Sequence, residues 1–149
     1  MTEYTLRKAT DYDINLSFEI RKNAMYEYIV ESKGWDEEKE MQDHINDFST
    51  EVMQIIEVDN KPVGVVESVI ENGNISIHGL YISKEFQNFK IGSQVMNNII
   101  NAAKTEKRDI LLQVLKVNNK AKAFYERIGF KVFDETEFYS QMIFKLSDK

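Results

Sequence analysis

Two short stretches carry residue types and spacings from which chemistry can be built. Phe86–Val95 reads FQNFKIGSQV and sits between an alternating apolar run, ISIHGLYI, and a run with helical spacing, MNNIINAAK. If a helix starts near Lys90 or Ile91, its first amides lack intrahelical partners and the macrodipole adds positive character there. Backbone N–H groups from Asn88 to Ser93, with the Ser93 hydroxyl, can then hold a pyrophosphate, and Gly92 removes a side chain where it would approach. Neither GxxxxGK[ST] nor GxGxxG is present, and most helices begin this way and bind nothing. The second stretch, VNNKAKAFYERIGF, places Asn118 at a strand end and Tyr125 on the following helix. Asn118 can simply end the strand, and Tyr125 lies on an apolar stripe where core packing is the plain explanation. Gly79, inside ISIHGLYI, is either a packing glycine or the mark of a bulge where the strand leaves its neighbour and frees amides for an extended ligand.

The elements that must position these residues follow from periodicity. YTLRKAT, Tyr4 to Thr10, reads as a first short strand, and Thr10 with Asp13 forms a capping box before a helix running to about Val30, with Ile14, Phe18, Met25 and Ile29 on one side. Asp36 caps a second, highly charged helix. From Met53 the period becomes that of strands: MQIIEVD, a turn at NKP, VGVVESVIE, the Asn72-Gly73 hairpin turn, then ISIHGLYI. Ile91, Val95, Met96, Ile99, Ile100 and Ala103 form one apolar helix face, followed by the buried strand DILLQVLKV, an order that requires a parallel crossover. Ala121, Phe124, Tyr125 and Ile128 share a face of the next helix, which Gly129 stops; FKVFDE and YSQMIFKL close the chain as an antiparallel pair.

Composition bounds the function. A chain of 149 residues, 42% hydrophobic, is expected to be one domain, 1–149, with its own core. The formal charge of −6 argues against nucleic acid as a partner. No apolar run reaches membrane-spanning length and MTEYTLRKAT lacks the apolar region of a signal peptide, so a cytoplasmic protein without a membrane partner is expected. The absence of cysteine removes thiol nucleophiles and thiolate metal sites, and two histidines without an HExxH pattern make a metal centre unexpected.

Taken together, the element order and both stretches resemble the GNAT superfamily of acetyl-CoA-dependent N-acetyltransferases. That family has a bulged strand leading to Q/R-x-x-G-x-G/A at a helix start, then N-x-x-A-x-x-x-Y-x-x-x-G-F after the next strand. The matching positions here are Gln87 to Gly92, and Asn118, Ala121, Tyr125, Gly129 and Phe130. The resemblance implies a mixed α/β fold: a mostly antiparallel, twisted sheet with one splayed parallel pair and helices on both faces. It also implies that acetyl-CoA is the cosubstrate, without a metal. Leu80 and Ile82, on either side of Tyr81, would bind pantetheine through the backbone. Gln87, Asn88, Phe89, Lys90, Ile91, Gly92 and Ser93 would wrap the pyrophosphate, Asn118 and Ala121 would border the pantetheine, and Tyr125 would lie beside the thioester sulfur. The family pattern expects glycine at Lys90 and often at Asn88. Backbone amides serve an anion equally well provided that neither position needs a positive φ, and Lys90 can add a point charge.

The implied reaction is direct attack of a primary amine, from a small molecule, a polyamine or a peptide, on the thioester carbonyl. Tyr125, a phenol of pKa ~10, can protonate the departing thiolate. Many relatives carry a glutamate near the position of His78; His78 and Glu67 are the candidate bases, although a strand histidine is commonly structural or exposed. Tyr26, Tyr28, Trp35 and Tyr139 are candidate acceptor-wall residues; Trp35 can equally anchor the helix–helix turn. A catalytically idle acyl-CoA-binding module on the same fold is the alternative reading, and homodimers are common in the family.

Overall fold

The structure, a computed structural model, describes residues 2–146. Strand β1 (Thr5–Lys8) leads through a 3-10 turn (Asp11–Asp13) into helices α1 (Ile14–Ser32) and α2 (Glu37–Asp47). The cap signals act as expected. The Thr10 N–H donates to Asp13 Oδ2 at 2.8 Å, and the Lys39 N–H donates to Asp36 Oδ1 at 3.2 Å. Each satisfies an amide left without a partner at the start of a helix.

Strands β2 (Met53–Val58), β3 (Lys61–Glu71) and β4 (Asn74–Ile82) form an antiparallel meander. The Asn72-Gly73 turn has φ of 51° and 82°, as a two-residue hairpin requires. The preceding turn differs from the NKP expectation. It is made by Asp59 and Asn60, with φ of 52° and 65°, and Lys61 already belongs to β3. The reason is steric: a proline ring fixes φ near −65°, so Pro62 cannot supply the positive φ that such a turn needs.

After β4 come a 3-10 segment (Lys84–Phe89), α3 (Ile91–Glu106), β5 (Ile110–Leu115), α4 (Asn119–Arg127), β6 (Lys131–Glu135) and β7 (Tyr139–Phe144). The seven strands form one sheet in the order β1-β2-β3-β4-β5-β7-β6. Among the described residues only β4 and β5 are parallel neighbours, and they pair at Ile75 with Ile110 and Ser76 with Leu111 before separating. The sheet is therefore mixed, mostly antiparallel, with a splayed parallel pair. One face carries α1 over Ala9, Ile20, Met53, Ile55 and Val65. The other face carries α3 and α4, with Met96, Ile110, Phe130 and Met142 at the centre of its larger core. Burial on both sides explains why β5 reads as a nearly continuous apolar run.

Candidate active site

The gap between β4 and β5 is opened by one residue. The β3–β4 register passes from Ser68 opposite Ile77 to Glu67 opposite Gly79, so His78 is the extra residue of a β-bulge. A bulge reverses which backbone groups face each neighbour. Before it, the Ile75 N–H donates across to the Asp109 carbonyl at 2.9 Å. Beyond it, the Ser83 N–H donates to the Val63 carbonyl at 2.9 Å, so Gly79 and Tyr81 bond toward β3 while Leu80 and Ile82 turn their backbone groups into the gap. The Ile82 carbonyl already accepts from Gln87 Nε2 at 2.8 Å. The Leu80 N–H and carbonyl and the Ile82 N–H remain as an edge for an extended ligand.

A cleft of about 880 Å³ runs along this edge. Leu80, Tyr81 and Ile82 border it, as do Gln87, Asn88, Lys90, Gly92 and Ser93 from the strand-to-helix junction and Asn118, Ala121 and Tyr125 from the second stretch. The structure thus brings both sequence stretches to one cavity. Two expected contributors do not present side chains to it: Phe89 is exposed and packs on Phe86, with ring centres 6.0 Å apart, and the Ile91 side chain is in the core. Met25, Gln94, Asn97, Lys120, Phe124 and Arg127 also line it. The last three lie at i, i+4 and i+7 on α4, a face legible in the sequence; the others depended on how α1 and α3 dock.

Three details bear on binding. Lys90 has φ of +62°, so the condition attached to a lysine at this position is not met: the junction demands the left-handed conformation that glycine adopts freely. Lys90→Gly is expected to raise stability by about 0.5–1 kcal/mol, the relief of left-handed strain less the entropy cost of glycine, read as a rise in Tm of about 2 °C. An unchanged or lower Tm would show that Lys90 is unstrained. At Gly92 an added Cβ would meet nothing within 4 Å, so the backbone stands open toward the cleft. Asn118 is buried and its Oδ1 accepts from the Ala121 N–H at 3.0 Å, capping α4.

Tyr125 is 8% exposed, with its ring edge-on to Phe124 at 5.0 Å and Phe130 at 5.5 Å. Its hydroxyl makes no hydrogen bond with another described residue, yet it is not sealed from the cleft. Burial, reinforced by the nearby Tyr81 phenol, pushes its pKa well above the ordinary tyrosine value, so it holds its proton at neutral pH.

A second cavity of about 600 Å³ lies between α1, α2 and the sheet, and Tyr81 lines both. The Tyr81 ring rests over Gly79: a Cβ there would stand 2.8 Å from the ring. The glycine therefore marks a bulge and also seats an aromatic ring. Glu67 and His78 both line this second cavity. Glu67 is partly buried, and desolvation pushes its carboxyl above the usual range despite the opposing pull of His78 and Arg21. The His78 side chain is half exposed and pairs with Glu71 at 2.8 Å.

The four expected acceptor-wall residues separate. Trp35 and Tyr139 line the second cavity, Tyr28 lines the first cleft, and Tyr26 lies outside both, packed on Trp35 with ring centres 5.4 Å apart. Trp35 also anchors the α1–α2 turn, since its Nε1 donates to Glu37 at 2.7 Å and its ring contacts Phe18. Sequence reasoning missed Arg21 and His44. Both line the cavity, but neither lies in a motif, and their positions depend on the packing of α1 against α2.

Residues 22–130 match the model of the Acetyltransferase (GNAT) family. An uncharacterised N-acetyltransferase of Methanocaldococcus jannaschii is 32% identical over 97 residues, which are 60% of this chain and 43% of that protein; the matched part thus spans less than half of the relative's length. Among solved structures, the PaiA N-acetyltransferase of Thermoplasma acidophilum, in complex with coenzyme A, superimposes with a TM-score of 0.77 at 19% identity, covering 96% of this chain and 99% of the other. The ribosomal-protein-S18-alanine N-acetyltransferase of Escherichia coli gives 0.72 at 13% identity over 97% and 94%. Arabidopsis thaliana Naa50, with a bisubstrate analogue CoA-Ac-MVNAL, gives 0.63 at 15% over 94% and 97%. At these identities the structural likeness is one of fold.

Proposed function

The chain belongs to the acetyltransferase (GNAT) family, and from that premise we propose that it transfers the acetyl group of acetyl-CoA to a primary amine by direct attack. The observation that carries this reading is the meeting of two cavities at Tyr81, with an unused phenol, Tyr125, on one side and a carboxyl of raised pKa, Glu67, on the other. The first cleft fits coenzyme A. It offers the freed edge of β4, the open approach at Gly92 and the amides at the start of α3, which suit an extended amide chain ending in a pyrophosphate.

When bound, acetyl-CoA supplies a thioester carbonyl at which the C–N bond forms and the C–S bond breaks. The roles of the chain's own residues follow from what each atom needs. Glu67 takes one proton from the acceptor's ammonium, and its raised pKa makes it a stronger base than an ordinary carboxylate. The Leu80 N–H, turned into the gap, stabilises charge on the carbonyl oxygen. Tyr125 gives its proton to the departing sulfur. The second proton shed by the nitrogen returns through solvent to Tyr125, so one proton is released per turnover.

The proton-accepting role predicts a pH dependence. Glu67 is inactive as a base when protonated, so kcat/KM falls as pH drops through its raised pKa, above the ordinary carboxylate value of ~4.3. Glu67→Gln is expected to lower kcat/KM by about 100-fold and abolish that limb, whereas His78→Ala leaves the limb in place. A limb that disappears in the His78 variant would transfer the role to His78. The function as a whole is tested by thiol release from acetyl-CoA across an amine panel, beside thermal unfolding with CoA. Failure of CoA to raise Tm would sink it.

A further inference from the structure

The second cavity contains charges of both signs, and pairing them leaves a pattern. Arg21 Nη1 donates to Glu40 at 2.9 Å, and Lys39 pairs with Asp43 at 3.0 Å. Among the described residues, Lys33 has no carboxylate partner: its Nζ donates to the Tyr139 hydroxyl at 2.8 Å and stands 4.9 Å from that ring's centre. Asp36, Asp47 and Glu67 line the same cavity without a cation in bonding contact; Asp36 caps α2 through the Lys39 N–H. Apart from the Asp36 cap, what the protein leaves without an ion pair is thus a cation, Lys33, and two carboxyl groups, Glu67 half-buried and Asp47 exposed.

Arg21 adds the recognising geometry. Its guanidinium is mostly buried, 5.8 Å from the Trp35 ring centre and 6.0 Å from that of Tyr81. These aromatic neighbours and Glu40 restrain a planar fork that carries five N–H donors, of which Glu40 takes one and the Tyr81 hydroxyl is the partner of another. A cavity-facing fork with spare donors matches a carboxylate, which accepts two parallel hydrogen bonds. Its neighbour Tyr81 is the residue shared with the acyl-donor cleft, so an anion held by Arg21 lies close to the reacting centre.

We infer that the acceptor is a zwitterion, a small amine that also bears a carboxylate, such as a free amino acid, with Arg21 and Lys33 holding the carboxylate while Glu67 and Asp47 face the ammonium. This rests on the amine-acetylation reading and narrows it: a simple polyamine would leave Lys33 and the spare donors of Arg21 unanswered, and a peptide N-terminus lacks a carboxylate beside its amine.

The test uses matched acceptors on the whole protein. Each of several amino acids is compared with its carboxamide and with the amine formed by its decarboxylation, both in thiol release and in calorimetric binding to the CoA complex. The amino acid is expected to bind about 10- to 100-fold more tightly than its carboxamide, the worth of charge-assisted hydrogen bonds. The double variant Arg21→Gln, Glu40→Gln removes the guanidinium without stranding its carboxylate; it is expected to lose most of the preference while keeping its affinity for CoA. Lys33→Gln should erode the preference in part. A preference for the carboxamide or the decarboxylated amine, or a preference for the amino acid that is undiminished in the double variant, overturns the inference. Amino-acid binding without turnover leaves the inference standing and defeats the catalytic reading instead.

Discussion

Tyr125→Phe is expected to lower kcat by about two orders of magnitude while the dissociation constant of CoA changes by less than about twofold. The ring is held by Phe124 and Phe130, contacts that phenylalanine retains. The hydroxyl it lacks has no hydrogen-bond partner among the described residues, so its removal strands nothing and stability should move by no more than ~0.5 kcal/mol. What is lost is a proton held in place by burial and available to a sulfur in the cleft. Steady-state thiol release and isothermal calorimetry with CoA measure the two effects separately. Unchanged turnover removes Tyr125 from the mechanism, and a parallel loss of CoA affinity makes it a binding residue only.

At Gly92 the opposite separation is expected. An added Cβ would find no protein atom within 4 Å, so valine fits the unliganded fold, with only the modest helix penalty of a β-branched residue. That space, however, borders the cleft at the start of α3, where the proposed pyrophosphate site requires close approach to the amides. Gly92→Val should leave Tm without ligand within a few degrees of the parent and weaken CoA binding by about 100-fold or more, the effect of losing one or two charge-assisted hydrogen bonds worth ~1.5–3 kcal/mol each. Equal affinity in the valine variant would move the phosphate site elsewhere. Lys90→Ala, which keeps the backbone and removes one exposed charge, should weaken CoA only modestly.

Much of the scaffold was legible from local rules. The Asn72-Gly73 turn, the Asp36 cap, the apolar face of α3 and the continuous apolar run of β5 depend on contacts within a few residues of one another, or on burial alone. The NKP turn was misplaced by one residue because Asp59 and Asn60, both able to adopt positive φ, lie just upstream of a proline that cannot. Gln87, Gly92, Asn118 and Tyr125 were identifiable from spacing and family resemblance together, and all four line the cleft.

The sequence by itself determined the succession of strands and helices, the parallel crossover and the two stretches bordering the cleft, because periodicity, turn chemistry and motif spacing are written along the chain. Only the tertiary structure decided how the site is divided. Burial gave Glu67 its raised pKa while His78, one of the two candidate bases, stayed half exposed beside Glu71. The packing of α1 against α2 brought Arg21 to Trp35 and Tyr81 and sent Tyr28 to the other cleft, and the left-handed backbone at Lys90 appeared only with the junction folded. Desolvation, ring contacts and shared cavities arise between segments far apart in sequence, and no local pattern specifies them.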